Sequence, residues 1–253
     1  MPESPEPTNP EPPREGHVRM PDADVAATPR GELPRWTAVL VVVAHPDDES
    51  FALGAIIDHL LAHGAAVSVL CLTRGEASTL DGVPGDLAVV RQDELREAAD
   101  ALGGAEVSLR GYPDGSLAGI SRETLVEEVM VAARSGAAQA MLVFDLDGVT
   151  GHPDHAAASL AAFDAARRMD LPVLAWTMPR SVADRLNEEF GSAFTGHESP
   201  EIDVLLRVDR SRQLVAIAAH ASQAVPSSVV WRRLELFGES EHLRWAHRVD
   251  GRR

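Results

Sequence analysis

The run Thr37-Ala-Val-Leu-Val-Val-Val-Ala44, followed at once by His45-Pro-Asp-Asp-Glu49, decides the reading of this chain. A continuous β-branched apolar run of that length is what a strand looks like when both faces of a parallel sheet are covered. Downstream the pattern alternates with a short period. Residues 51–63 read as a helix capped by Gly64, 67–72 as a strand, 87–102 as a helix closed by Gly103-Gly104, and 107–110 as a short strand. Ser121 suits the N-cap of a helix reaching about 134, and 140–144 is a fourth strand. Pro153 suits the first turn of a helix running to 169, and 172–176 is a fifth strand. This alternation predicts an α/β domain with a mostly parallel sheet, helices on both faces and right-handed crossovers. Beyond Arg180 we expect a helix at 182–190, a strand at 202–208, a helix at 211–223 and a helical region at 230–247.

Nine of the 17 prolines fall within residues 1–35, among acidic residues and almost no large apolar ones. Such a segment buries too little to offset its ordering entropy, so 1–35 is expected to be a disordered tail and 36–253 a single domain. The net charge of −16 disfavours nucleic acid or an anionic membrane as main partner. Every basic residue apart from histidine is Arg, which excludes mechanisms built on a Schiff-base or phosphate-loop lysine. The single Cys71 lies in an apolar run and reads as a small buried hydrophobe. No apolar stretch is long enough to span a bilayer, no secretory leader is visible, and the cytoplasm is the expected location. Homo-oligomerisation is left open.

In an open parallel sheet the ligand sits beyond the carboxyl ends of the strands. After the first strand stands His45-Pro-Asp-Asp-Glu49, and after the fourth Gly151-His-Pro-Asp-His155. Neither is a dinucleotide or phosphate loop. An imidazole beside carboxylates is a divalent-metal pattern, and His152 and His155 at a helix start share one face. Two imidazoles and one carboxylate on zinc leave a fourth position for water, the open arrangement of a hydrolytic site. The spare carboxylate of the Asp47-Asp48 pair could act as base, and the spare imidazole could donate to an oxyanion or leaving amine. Such a triad could also hold Fe2+.

These two motifs, in this order, resemble the LmbE-like or PIG-L-like zinc-dependent N-acetylglucosaminyl deacetylases. Leu72-Thr-Arg-Gly-Glu76, Arg91-x-x-Glu-Leu95, Tyr112-Pro-Asp-Gly115 and His220-Ala-Ser-Gln223 support the likeness, which spans about residues 38–225. The resemblance implies a Rossmann-like fold and zinc bound by His45, Asp48 and His155. It further implies Asp47 as general base, His152 as the imidazole serving the tetrahedral intermediate or the leaving amine, and Asp154 as the residue orienting its neighbouring histidine. Arg91 and Asp114 fall where relatives grip sugar hydroxyls. The implied substrate is a small N-acetylated glucosamine conjugate. Alternatives are a larger thiol conjugate or natural-product amide, or a metal-binding relative without catalysis. Where some relatives carry a tyrosine two residues before the first histidine of the second motif, this chain has Thr150.

By residue type alone, Arg91 also suits an ion pair with Glu94 or Glu97, and Asp114 suits a turn. On position His220 reads as a core or helix-surface histidine, and Trp176, Trp231 and Trp245 as packing residues. No role is expected of His17, His59, His63, His197, His242 or His247.

Overall fold

A computed structural model describes residues 31–80 and 85–249. Most of the expected tail, residues 1–30, therefore lies outside the described residues. Leu33 packs against the core ahead of the expected boundary at Trp36, because a large apolar side chain there meets the same surface as Trp36 itself.

Seven strands form one sheet in the order β3-β2-β1-β4-β5-β7-β6. They are β1 Ala38–Val43, β2 Ala66–Thr73, β3 Glu106–Tyr112, β4 Ala140–Phe144, β5 Val173–Thr177, β6 Val204–Arg207 and β7 Ser240–His247. The first five are parallel, and β7 runs antiparallel to both β5 and β6. The helices are α1 Asp48–Phe51, α2 Gly54–Ala62, α3 Leu87–Ala101, α4 Arg122–Ser135, α5 Pro153–Met169, α6 Arg180–Phe190, α7 Ser211–Ala219 and α8 Val229–Phe237.

The opening apolar run explains the layering. Successive side chains of a strand point to opposite faces. Val39, Val41 and Val43 enter one core with Ile56, Leu95 and Ala216 from α2, α3 and α7. Leu40, Val42 and Ala44 enter the other with Val126 and Val129 of α4 and a row of buried alanines on α5. Cys71 is buried in the first of these cores, and burial holds its thiol well above the usual range. Among the described residues no helix is long and apolar enough to cross a membrane.

Two expectations need correction. The helix expected at 51–63 is two elements, α1 and α2, with a break at Ala52-Leu53. The helical region expected at 230–247 is α8 followed by β7. Gly238, at φ +55° and ψ −130°, ends the helix, and residues 240–247 continue as a strand. Glu241 and Leu243 are buried while His242 between them and Arg244 after them are less so, a period of two that marks a strand and that an apolar count over the whole run averages away.

Candidate active site

The strand order reverses between β1 and β4, so their carboxyl ends open the crevice where such sheets place ligands. His45–Asp48 leaves β1 and turns into α1, and His152–His155 leads into α5. The two motifs meet there. His45 Nδ1 lies 3.1 Å from His155 Nε2, His155 Nε2 lies 3.1 Å from Asp48 Oδ1, and His45 Nδ1 lies 3.6 Å from Asp48 Oδ2. Tetrahedral ligands bonded at about 2.0–2.1 Å stand about 3.3 Å apart, so each of these contacts has the spacing of two donors on one small cation, with Asp48 meeting His155 through Oδ1 and His45 through Oδ2.

Neighbours also hold these three side chains, as would be required of metal ligands. His45 Nε2 faces Asp114 Oδ1 at 3.0 Å and Asp154 Oδ2 at 3.5 Å. Thr150 Oγ1 lies 2.6 Å from His155 Nδ1. Asp48 Oδ2 accepts from the backbone N–H of Ala44 and His45. Burial pulls the His45 imidazole down, but Asp114, Asp154 and Asp48 together outweigh it and its pKa is pushed up to about 12. Burial raises Asp48, and the charges and hydrogen bonds of His155 and His45 hold it well below the usual carboxylate range. The cluster thus stabilises positive charge at its centre, and its His-His-Asp donor set fits a divalent metal.

Asp47 stands beside this centre in a conformation rare for a non-glycine residue, φ +118°. Two partners hold it. Its N–H donates to Glu49 Oε2 at 2.9 Å, and its Oδ2 lies 3.0 Å from Arg91 Nη2. Burial raises the Asp47 carboxyl, Arg91 lowers it, and the outcome is about 6. Glu49 is itself buried, accepting from Ser50 Oγ at 2.5 Å and pairing with His220 Nε2 at 2.7 Å.

His152 is the most exposed of the three histidines, with its ring centroid 4.7 Å from that of His45 and 5.1 Å from that of His155. Its Nδ1 accepts the N–H of Asp154 at 3.2 Å, so the neutral ring carries its proton on Nε2. Burial first, then His45 and His155, lower its pKa.

Two expected residues are engaged differently from their sequence readings. Arg91 is buried, and its guanidinium binds Asp47, Gly75 O at 2.7 Å and Pro46 O, not Glu94 or Glu97. The Asp154 carboxylate accepts from Gly115 and Leu117 N–H, each at 2.9 Å, and faces His45, while its link to His152 runs through the backbone. The reason in both cases is burial, which makes an ionised group seek the nearest opposite charge or N–H. Asp114 is a turn residue whose Oδ2 accepts from Ala77 N–H, and it also lines the cavity. Burial raises its carboxyl, but His45 and that N–H bring it down to about 2.

The cavity has a volume of about 350 Å³. Ser78, Arg91, Asp114 and Gly115 line it on the β2 and β3 side, and Phe144, Trp176, Phe194 and Val230 on the β4 and β5 side. The sequence reading missed this apolar half, and it missed Glu49 and Thr150 as partners of site residues. Trp176 and Phe144 belong to β5 and β4, and their position at the strand ends was the available signal.

The family model described as PIG-L, GlcNAc-PI de-N-acetylase, matches residues 40–166, half of the chain. The chain belongs to the PIG-L family. Among its relatives, the 1D-myo-inositol 2-acetamido-2-deoxy-alpha-D-glucopyranoside deacetylase 2 of Saccharopolyspora erythraea is 29% identical over 226 residues, 73% of this chain and 82% of its own. The probable N-acetyl-alpha-D-glucosaminyl L-malate deacetylase 2 of Bacillus anthracis is 26% identical over 215 residues, 83% of this chain and 92% of its own. Among solved structures, N,N'-diacetylchitobiose deacetylase from Pyrococcus horikoshii shares the fold with a TM-score of 0.59 at 20% identity, covering 83% of each chain.

Proposed function

We propose that this PIG-L family member is a zinc-dependent hydrolase that removes the N-acetyl group from an N-acetylglucosamine-type small glycoconjugate. The observation that carries the reading is the convergence of His45, Asp48 and His155 to within 3.1–3.6 Å beside the strained Asp47. Relatives named as deacetylases of N-acetylated glucosamine conjugates support the substrate class.

His45, Asp48 and His155 would hold the metal. Zinc in such a site supplies Lewis-acid charge that acidifies water and draws electron density from an amide oxygen. Asp47 takes the proton of the attacking water; at a pKa of about 6 it is ionised at neutral pH yet basic enough to accept. Arg91 and the Asp47 N–H bond to Glu49 keep that carboxylate aimed at the centre. His152, protonated on Nε2, donates to the developing oxyanion or to the nitrogen of the departing amine. Asp154 and Asp114 fix the His45 ring from its far side. Water and amide become acetate and free amine. Asp114 and Arg91 line the cavity on the β2 and β3 side and would meet the hydroxylated part of the substrate.

The test is amine release from N-acetylglucosamine and a panel of its glycosides, by metal-stripped protein with and without added zinc. Zinc-dependent release is expected. No release from any member, with metal bound stoichiometrically, overturns the reading.

A further inference from the structure

The apolar half of the cavity holds a charge that the reaction above does not use. Arg233 of α8 lines this end at 4% exposure. Its Nη2 donates to Phe51 O, while its buried Nη1 has no hydrogen-bond partner among the described residues. The guanidinium lies 5.2 Å from the ring of Trp176 and 5.2 Å from that of Phe237.

Its carboxylate neighbour is already committed. Glu241 stands 4.0 Å from Arg233 Nη1, but its Oε1 lies 2.5 Å from Arg210 Nη1 and its Oε2 accepts from Trp176 Nε1 at 2.8 Å. Two guanidiniums therefore share one carboxylate in an enclosure of aromatic and aliphatic side chains. Burial pulls the Arg233 pKa down to about 10, and Glu241 only partly offsets this. A guanidinium that shares its one carboxylate with a second arginine and lines a cavity wall is matched by an entering carboxylate, which accepts charge-assisted hydrogen bonds from it.

Phe51, Phe144, Trp176, Phe194, Val229 and Val230 make most of the rest of this wall apolar, with Ser228 beside them. An acetyl methyl occupies only a small part of a cavity of about 350 Å³. We propose that the apolar half of the cavity is a subsite for a carboxylate-bearing apolar arm of the substrate, with Arg233 as its anion-binding residue. The inference rests on the hydrolase reading for the placing of the scissile amide. Such an arm can be the acyl group, longer than acetyl, or an aglycone, and both present the same chemistry to Arg233.

Calorimetry on the full-length zinc-loaded protein tests the subsite without turnover. The probes are 3-phenylpropionate and its neutral amide. The acid is expected to bind at least tenfold tighter, and Arg233→Met, an apolar residue of similar length, brings the ratio close to one. Equal binding of acid and amide, or an acid preference that survives in Arg233→Met, overturns the proposal. Should Arg233→Met not fold, Arg233→Lys keeps the charge and loses the planar fork; it is expected to weaken the acid at least fivefold, and unchanged affinity overturns the proposal.

Two turnover pairs then name the source: methyl glucosaminide N-acylated with a 3-carboxypropanoyl group against its methyl ester, and 4-carboxyphenyl N-acetylglucosaminide against its methyl ester. An acid preference in kcat/KM that depends on Arg233 in the first pair assigns the acyl arm, and in the second the aglycone. Turnover without such a preference in either pair overturns the assignment of Arg233 to the substrate. Absence of amine release from all four, with the calorimetric difference intact, removes the hydrolase reading and leaves the anion subsite standing.

Discussion

The hydroxyl of Thr150 lies 2.6 Å from Nδ1 of His155, whose Nε2 faces Asp48 across 3.1 Å. With Thr150 Oγ1 accepting from Nδ1–H, His155 presents a lone pair at Nε2, the tautomer that a metal needs. The Thr150 contact is with the imidazole that would bind metal. Thr150→Val is therefore expected to weaken zinc about 10–100-fold, while Thr150→Ser stays near the parent. Competition with a chelator of known affinity measures both; a valine variant that binds zinc like the parent removes the role.

Asp47→Asn is expected to keep the metal and lose about 10²–10⁴-fold in kcat, the range of a general base. Asparagine tolerates positive φ nearly as well as aspartate, so the strained backbone at +118° survives the change. Zinc content by elemental analysis, taken alongside the rate, separates loss of the base from loss of the ion. Full activity in this variant would show that another group takes the proton.

The Glu49–His220 pair is buried on both sides, at 2.7 Å. Replacing His220 by Leu leaves a buried carboxylate without its counter-charge, a change that costs about 3–5 kcal/mol when a buried pair loses one member. Urea unfolding should show that loss directly. Because Glu49 also accepts the N–H of Asp47, turnover should fall in the same variant through kcat more than through KM. A melting curve unchanged from the parent would mean the pair is not formed in solution.

Stability should carry a pH signature from β7. Burial, and then the charge of Arg210, lower the His242 pKa to about 4, against an unfolded value near 6.5. As pH falls through 6.5 the unfolded chain takes the proton first, so this contribution is complete above 6.5 and is lost by about pH 4. The difference corresponds to about 3 kcal/mol. His242→Phe removes it, and the gap between variant and parent in chemical denaturation should widen from pH 7 to pH 4.5. A constant gap over that interval assigns the titration elsewhere.

Much of this molecule is legible in its residues because the deciding signals are local. The β-branched run at 37–44 can only be a covered strand, and a motif that follows a parallel strand directly lands at its carboxyl end whatever the rest of the chain does. The strand β7 escaped because a single antiparallel strand, part buried and part exposed, lacks the continuous apolar run that marked the others. The roles of Arg91 and Asp154 differ in detail for a related reason. Sequence spacing says which residues can reach a site, while burial dictates which charge each of them pairs with.

By itself, then, the order of residues determined the sheet, its first five strands and the pair of motifs that meet where the strand order reverses, since these follow from periodicity, turn residues and strand direction. Tertiary structure decided what surrounds them. That Arg91 holds Asp47, that His220 pairs with Glu49, and that Arg233 arrives from α8 at the apolar wall of the same cavity all depend on segments far apart in the chain. Contacts of that kind are set by the packing of helices on a twisted sheet, and no local pattern encodes them.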